Sequence, residues 1–286
     1  MKKKFSFGKN WFFEDFKTDE PKTSSWGVVI EKEIYSGKSK FQKIEVFGTR
    51  EFGRILALDG MVQLSTKYEF IYHEMLVHPA LIYHPNPKNI LIIGGGDGGT
   101  LREAVKHPVE KICLVDLDEK VIEISKKYLP SVSKEAFSDR RLKIFIEDGS
   151  RFIKKYKNYF DIIIVDCTDY FGPAKKFLEI GFLKDVLRTL KEDGIFAAQT
   201  AYFQERFAKK VRKNIKKVFP FFKLHKAFVG CFPFDEHTFS FGSKKIDFDK
   251  FDFNKINNKY KKLNLKTKYY SPEIHFTSQI LPKYLR

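Results

Sequence analysis

A run of glycines and five aspartates stand at spacings that could bring a nucleoside and an amine together. The segment GGGDGGT places Gly94, Gly96 and Gly99 in the pattern GxGxxG, whose glycines permit a tight turn and a close backbone approach to a ligand. Asp116 follows roughly 20 positions beyond Gly96, where an acid reaches ribose hydroxyls. Asp97 lies inside the loop. Helix N-termini and glycine amides ordinarily recruit phosphate, but a carboxylate in their midst would repel a pyrophosphate. The loop therefore suits a nucleoside with a cationic arm, as in S-adenosylmethionine or its decarboxylated form, which carry a sulfonium and an ammonium and no phosphate. Asp148 and Gly149 end a further candidate strand, placed to reach adenine from the other side. In DCTD, Asp166 and Asp169 put two carboxylates at one strand end. Such a pair suits a cationic amine: one oxygen bonds the attacking amine while another holds a distal ammonium.

These residues need elements that bring them to one edge. Strand-like runs NILIIG, KICLVD, LKIFIED and FDIIIVD alternate with helical stretches around LREAVK, KVIEISKKY, SRFIKKY and FLKDVLRTL. This alternation predicts an α/β fold with a doubly wound, Rossmann-like sheet of the AdoMet-methyltransferase type, which binds ligands outside the carboxyl ends of its strands. GIFAAQT predicts a fifth strand, and segments near 222–230 and 238–242 a sixth and a seventh. Up to about Ser65 the pattern is of short alternating strands, Trp26 to Ile34, Phe41 to Phe47, Phe52 to Leu58 and Met61 to Ser65, forming a small antiparallel sheet with a tight turn at LDG. A helix over 67–83 follows, with Tyr72, Met75, Leu76 and Ala80 near one face, and HPNPK breaks it. Two units are expected, an N-terminal β domain over 1–66 and a catalytic domain over 67–286, whose Lys- and Asn-rich end from 244 reads as a short surface tail. Four short strands are marginal alone and have edges to protect, so a homo-oligomer, dimer or tetramer, is expected.

Composition narrows the function classes. The 53 Lys and Arg against 36 Asp and Glu give a formal charge of +17, which would suit nucleic acid or an anionic surface. The bases are spread along the whole chain, however, as a solvated surface would have them. The stretch from Lys209 to Phe234 interleaves bases with aromatics, as in a single-strand binder. Val211, Ile215, Val218 and Phe219 in it also fit the apolar face of one helix, with FFKLHKAFVG as a following strand. No apolar run approaches the roughly 20 residues that span a bilayer. The start MKKKFSFGKNWFFEDF lacks the uninterrupted apolar stretch of a secretory signal, which places the protein in the cytoplasm. Cys113, Cys167 and Cys231 are too few and too far apart for a zinc site or disulfide framework, and are expected to be buried reduced thiols.

Nearly the whole chain resembles the spermidine synthases, or polyamine aminopropyltransferases, in LALDGMVQLSTKYEFIYHEMLVHPAL, IIGGGDGGTLREAVKHP, DIIIVDCTDYFGPA, LKEDGIFAAQ and YYSPEIHFTSQILP. The resemblance implies transfer of an aminopropyl group from decarboxylated S-adenosylmethionine, a co-substrate, to a small polyamine, with putrescine the first expectation and no prosthetic group or metal. It also implies roles: Gln42 and Asp97 at the nucleoside and the aminopropyl ammonium, Asp116 at the ribose, and Asp148 with Gly149 at the adenine. Asp166 would be the catalytic base, while Tyr72 and Asp169 would help hold the acceptor amine. Gln63 and His73 lie in the same matched segment without an assigned role.

Two departures from the family bear on the acceptor. Asp169 is followed by Tyr170 where a proline is usual, leaving a less rigid turn. FPFDEHTFSFGS stands where the family usually has a segment resembling YPSGLWSFTLGS. Phe232 thus replaces a tyrosine whose hydroxyl assists at the acceptor amine, and Asp235 with Glu236 adds acids that would serve agmatine or a longer polyamine, or merely balance a basic surface. An AdoMet-dependent methyltransferase would share the core and the glycine loop and is the alternative reaction. A nucleic-acid-binding protein, suggested by charge alone, is the alternative class.

Overall fold

The computed structural model describes residues 10–14, 25–167, 176–202, 206–232, 235–281 and 283. The chain opens with a two-stranded antiparallel ribbon of β1 (Trp11–Phe13) and β2 (Gly27–Val29). A four-stranded antiparallel sheet follows in simple order, β3 (Lys32–Lys38), β4 (Lys43–Thr49), β5 (Gly53–Leu58) and β6 (Met61–Ser65). The expected strand from Trp26 to Ile34 is therefore two strands, because Val29 ends a pairing with β1 while Lys32 begins one with β4.

The chain then runs α1 (Glu69–Tyr83), β7 (Asn89–Gly94), α2 (Gly99–Ala104), β8 (Lys111–Asp116), α3 (Glu119–Tyr128), α4 (Pro130–Ser133), β9 (Leu142–Ile146), α5 (Gly149–Phe152), β10 (Phe160–Asp166), α6 (Ile180–Thr189), β11 (Leu190–Tyr202), α7 (Arg206–Val218), β12 (Phe221–Ala227) and β13 (His237–Ser243). The seven strands of this stretch lie in the order β12-β13-β11-β10-β7-β8-β9. All neighbours from β11 to β9 pair parallel, whereas β13 runs antiparallel to both β11 and β12. After β9 the chain returns to the other side of β7 to lay down β10, so the order reverses between β7 and β10 and a crevice opens there. Both faces of the sheet are covered: Ile90 and Ile92 of β7 pack in one apolar cluster with α1, while Leu91 and Ile93 pack in another with α6 and α7. That is the period-two consequence of a strand buried on both sides.

Two regions differ from expectation. From His73 onward α1 is buried all round rather than on one face, because the sheet, α2 and the chain's C-terminal helices enclose it. The end of the chain is not a surface tail: it forms α8 (Phe253–Leu263) and α9 (Pro272–Thr277), and Ile256, Leu265 and Tyr270 enter the core beside α1. The buried Glu74 of α1 fastens this segment by accepting the backbone N–H groups of Lys268, Tyr269 and Tyr270, each at 2.8 Å, satisfying donors that burial would otherwise leave unpaired.

In the basic stretch, Val211, Ile215 and Phe219 are buried, and Phe219 stacks on Phe196 with ring centroids 5.4 Å apart. These apolar groups are core, not a platform for bases. All three cysteines are free thiols; Cys231 is buried, but Cys113 and Cys167 are only half-buried. No helix among the described residues is long and apolar enough to cross a membrane.

Candidate active site

A cavity of about 340 Å³ opens over the β7–β10 crevice. β7 ends at Gly94, directly opposite Asp166 at the end of β10, and the loop is tied to that strand by the Gly95 N–H donating to the Asp166 carbonyl at 2.8 Å. Gly94 has φ of 82°, and a Cβ there would lie 2.1 Å from the Asp166 carbonyl oxygen. At Gly99 a Cβ would meet the His73 ring at 2.2 Å. Only glycine fits at either position. Gly96 and Gly149 line the same cavity.

Asp166 sits at the junction. Tyr72 Oη donates to its Oδ1 at 2.7 Å and Thr100 Oγ1 to its Oδ2 at 2.6 Å. Burial, then the nearby Asp97 charge, raise its pKa above the ordinary aspartate value against the opposing effect of His73 and these two hydroxyls. Asp97 accepts the Gly99 N–H at 2.7 Å and lies 3.3 Å from His73 Nε2. Burial alone would raise its pKa, but the His73 charge and hydrogen bond lower it, so Asp97 stays ionised.

His73, to which no role was assigned, proves to be an electrostatic hub. Its Nδ1 faces Glu69 Oε2 at 2.7 Å while Nε2 faces Asp97, and Glu69 is itself gripped by Arg102 through bonds of 2.7 and 2.9 Å. Burial pushes the imidazole pKa down, yet Asp97 and Glu69 outweigh it and raise it to about 10. His73 is thus a fixed imidazolium beneath the glycine loop. His73, Asp97 and Asp166 present ligand atoms within 4.8 Å of one another, but an imidazolium donating at both nitrogens has no lone pair for a metal. The set is better matched to an organic cation.

At the other end of the cavity, Asp116 is raised to about 6 by burial, partly offset by the Asp118 N–H that it accepts at 2.9 Å. Asp118 gathers Gln42 Nε2 at 3.0 Å and Ser39 Oγ at 2.6 Å, and caps α3 by accepting Lys120 N–H at 3.1 Å. Gln42 of the N-terminal sheet therefore joins the site through Asp118. Asp148 caps α5 by accepting Ser150 N–H at 2.8 Å and is paired with Lys176 at 2.5 Å. Burial would raise its pKa, but Lys176 and Ser150 lower it on balance. Asp169 lies outside the described residues.

The wall beyond Tyr72 is aromatic: the Tyr72 ring stands 5.3 Å from His237, 5.5 Å from Phe239 and 6.4 Å from Phe232. Gln63 lines the cavity, as does Glu14, whose Oε1 accepts Val62 N–H at 2.8 Å. Sequence reading missed Glu14, Asp118 and His237. For Asp118 the signal was an acid two residues past a strand end, at a helix N-cap position. Asp235 and Glu236 are not in the cavity wall. Glu236 is paired with Lys226 at 2.5 Å and Asp235 accepts the Glu236 N–H at 2.7 Å. The ensemble can hold a nucleoside at the Asp116 end, a cation between Asp97 and Asp166, and take up a proton at Asp166.

Known proteins resemble this chain in both sequence and fold. Residues 69–253 match a spermine/spermidine synthase domain, and residues 10–66 match a spermidine synthase tetramerisation domain. A polyamine aminopropyltransferase of Shouchella clausii is 42% identical over 277 residues, covering 95% of this chain and 98% of the relative. Another, of Bacillus subtilis, is 41% identical over 271 residues, 93% of this chain and 96% of the relative. A crystal structure of spermidine synthase in complex with the transition-state analogue AdoDATO superimposes with a TM-score of 0.90 at 39% identity, covering 96% of this chain and 93% of the other. The spermidine synthase of Thermotoga maritima gives 0.88 at 39% identity, covering 96% and 92%.

Proposed function

The chain belongs to the spermine/spermidine synthase family and is a polyamine aminopropyltransferase, and we propose that it moves the aminopropyl group of decarboxylated S-adenosylmethionine to putrescine. The observation that carries this reading is Asp166, a carboxylate of raised proton affinity held by Tyr72 and Thr100 against the glycine loop. An ordinary aspartate, with a reference pKa near 3.9, is a poor base for an amine. Burial beside Asp97 corrects that mismatch in the needed direction.

In the proposed reaction Asp166 accepts a proton from the acceptor ammonium. The freed nitrogen attacks the methylene beside the sulfonium, forming the N–C bond as the C–S bond breaks and its electron pair stays on sulfur. Methylthioadenosine leaves, and the proton passes to solvent. Asp97 holds the aminopropyl ammonium, Asp116 the ribose, Asp148 and Gly149 the adenine, and Gln42 supports the nucleoside end through Asp118. Tyr72 fixes Asp166 and, with Asp169, flanks the acceptor. Because the sulfonium already makes the carbon electrophilic, alignment of the two reactants is the enzyme's main task. The crystal structure with AdoDATO at a TM-score of 0.90 supports decarboxylated S-adenosylmethionine as the donor.

Putrescine is favoured because Asp235 and Glu236, the acids that would serve a guanidinium or a longer amine, lie outside the cavity wall. A competition among putrescine, cadaverine, agmatine and spermidine, read as kcat/KM for each, should rank putrescine first; agmatine or spermidine at the top would overturn the assignment. The tetramerisation-domain match over 10–66 supports self-association through the N-terminal sheets, and we place a homotetramer there. Sedimentation at micromolar concentration should show the assembly; a monomer would refute it.

A further inference from the structure

His237 begins β13 and stands opposite Tyr202 of β11. Between Gln199 and Tyr202 the β11–β13 register slips by one residue, Gln199 pairing with Phe239 and Tyr202 with His237. Such a bulge re-aims the side chains beside it, and Ala201 within it has φ of 50°. The His237 ring lines the cavity and is only 5% exposed. Among the described residues the rings of His73, Phe232, His237 and Phe239 pack around Tyr72; of the two that carry polar atoms, His73 faces carboxylates at both nitrogens, which leaves His237.

The proton on that ring can be placed from its neighbours. Gln199 Nε2 donates to the Cys167 carbonyl at 3.1 Å, and its Oε1 accepts the Ala201 N–H at 2.9 Å. A flipped amide would set two donors against each other at Ala201, so the amide orientation is fixed. His237 Nε2 lies 3.2 Å from that same Oε1, so Nε2 must carry the hydrogen. The other nitrogen, Nδ1, then holds a lone pair. It is buried and has no hydrogen-bond partner among the described residues. Burial lowers the His237 pKa to about 3, so the lone pair stays free of a second proton at any working pH.

We infer that His237 Nδ1 accepts a hydrogen bond from an N–H of the acceptor amine, making His237 an acceptor-binding residue in the aromatic wall beside Tyr72. A buried acceptor-only nitrogen is costly to leave unmet, and an amine brings only donors when protonated. The wall thus selects for amines by hydrogen bonding without adding charge. This inference rests on the aminopropyltransferase reading above.

The test compares H237F and H237N in steady-state kinetics with putrescine and decarboxylated S-adenosylmethionine, alongside methylthioadenosine binding by titration. Phenylalanine keeps a ring but removes both nitrogens. KM for putrescine should rise roughly 10-fold, the effect of about 1.4 kcal/mol of lost hydrogen bonding, with methylthioadenosine affinity within about twofold of wild type. Asparagine offers a carbonyl oxygen in place of Nδ1 and should recover most of the loss. An unchanged KM in H237F, equal weakening of the nucleoside, or H237N as poor as H237F would overturn the assignment while leaving wild-type transfer intact. If wild-type protein aminopropylates no amine, the functional reading fails and this inference with it.

Discussion

Asp166→Asn should lower turnover by a factor of roughly 100 or more, the loss expected when a positioned general base is removed, while methylthioadenosine still binds. The amide is nearly isosteric, and the ribose and adenine ends of the cavity at Asp116, Asp118 and Asp148 are untouched. Only one of the two hydroxyl bonds, from Tyr72 or Thr100, can be accepted by the remaining oxygen. A pH profile sharpens the prediction. The base must be ionised to act, and burial with the Asp97 charge raises its pKa. Wild-type activity on the acceptor should therefore fall as pH drops through that raised value, above the ordinary aspartate range, and the residual activity of the variant should lack this limb. Single-turnover rates across pH, with binding measured separately, provide the check. Turnover within a few-fold of wild type would remove Asp166 from the proton path.

Asp97→Asn should weaken decarboxylated S-adenosylmethionine by about 1.5–3 kcal/mol, the worth of a charge-assisted bond, or roughly 10- to 100-fold in affinity. Methylthioadenosine, which lacks the ammonium, should change little. Because His73 holds Asp97 ionised, the charge is present throughout the working pH range. His73 also shares that charge, so the variant leaves an imidazolium with Glu69 as its remaining carboxylate partner. Titration of both ligands against both proteins separates the possibilities. Equal weakening of the two ligands would mean that Asp97 only shapes the loop through its bond to Gly99, and the electrostatic case for a cationic ligand would fall.

What the sequence revealed was local in character. Glycines at GxGxxG spacing and acids at strand ends are set by short-range geometry, and the structure places Gly94, Gly96, Asp97, Asp116, Asp148, Gly149 and Asp166 around one cavity, with Gly99 packed on the His73 ring beside it. The alternating runs, with GIFAAQT and the segments near 222–230 and 238–242, likewise foretold β7 to β13; β7 and β10 are the plainest, because strands buried on both faces write near-continuous apolar strings. What escaped notice depends on contacts across the fold. Asp118 meets Ser39 and Gln42 some 80 positions away, and His73 becomes a cation only because Glu69 and Asp97 flank it. The chain's end reads as polar because α8 exposes Lys255, Lys261 and Lys262, yet Ile256 and Tyr270 are buried against α1. Asp235 and Glu236 looked like pocket acids in sequence; the pairing with Lys226 from β12 that turns Glu236 aside is a through-space fact.

Incubation of the purified protein with decarboxylated S-adenosylmethionine and putrescine, with all products identified by mass, bears most directly on the site's assignment as a base-assisted displacement centre. Methylthioadenosine and spermidine should form in equal amounts, with no product from S-adenosylmethionine in the same assay. If the decarboxylated donor is left untouched while S-adenosylmethionine yields S-adenosylhomocysteine and a methylated product, or if the chain shows only salt-sensitive RNA binding and no transfer, the assignment is contradicted.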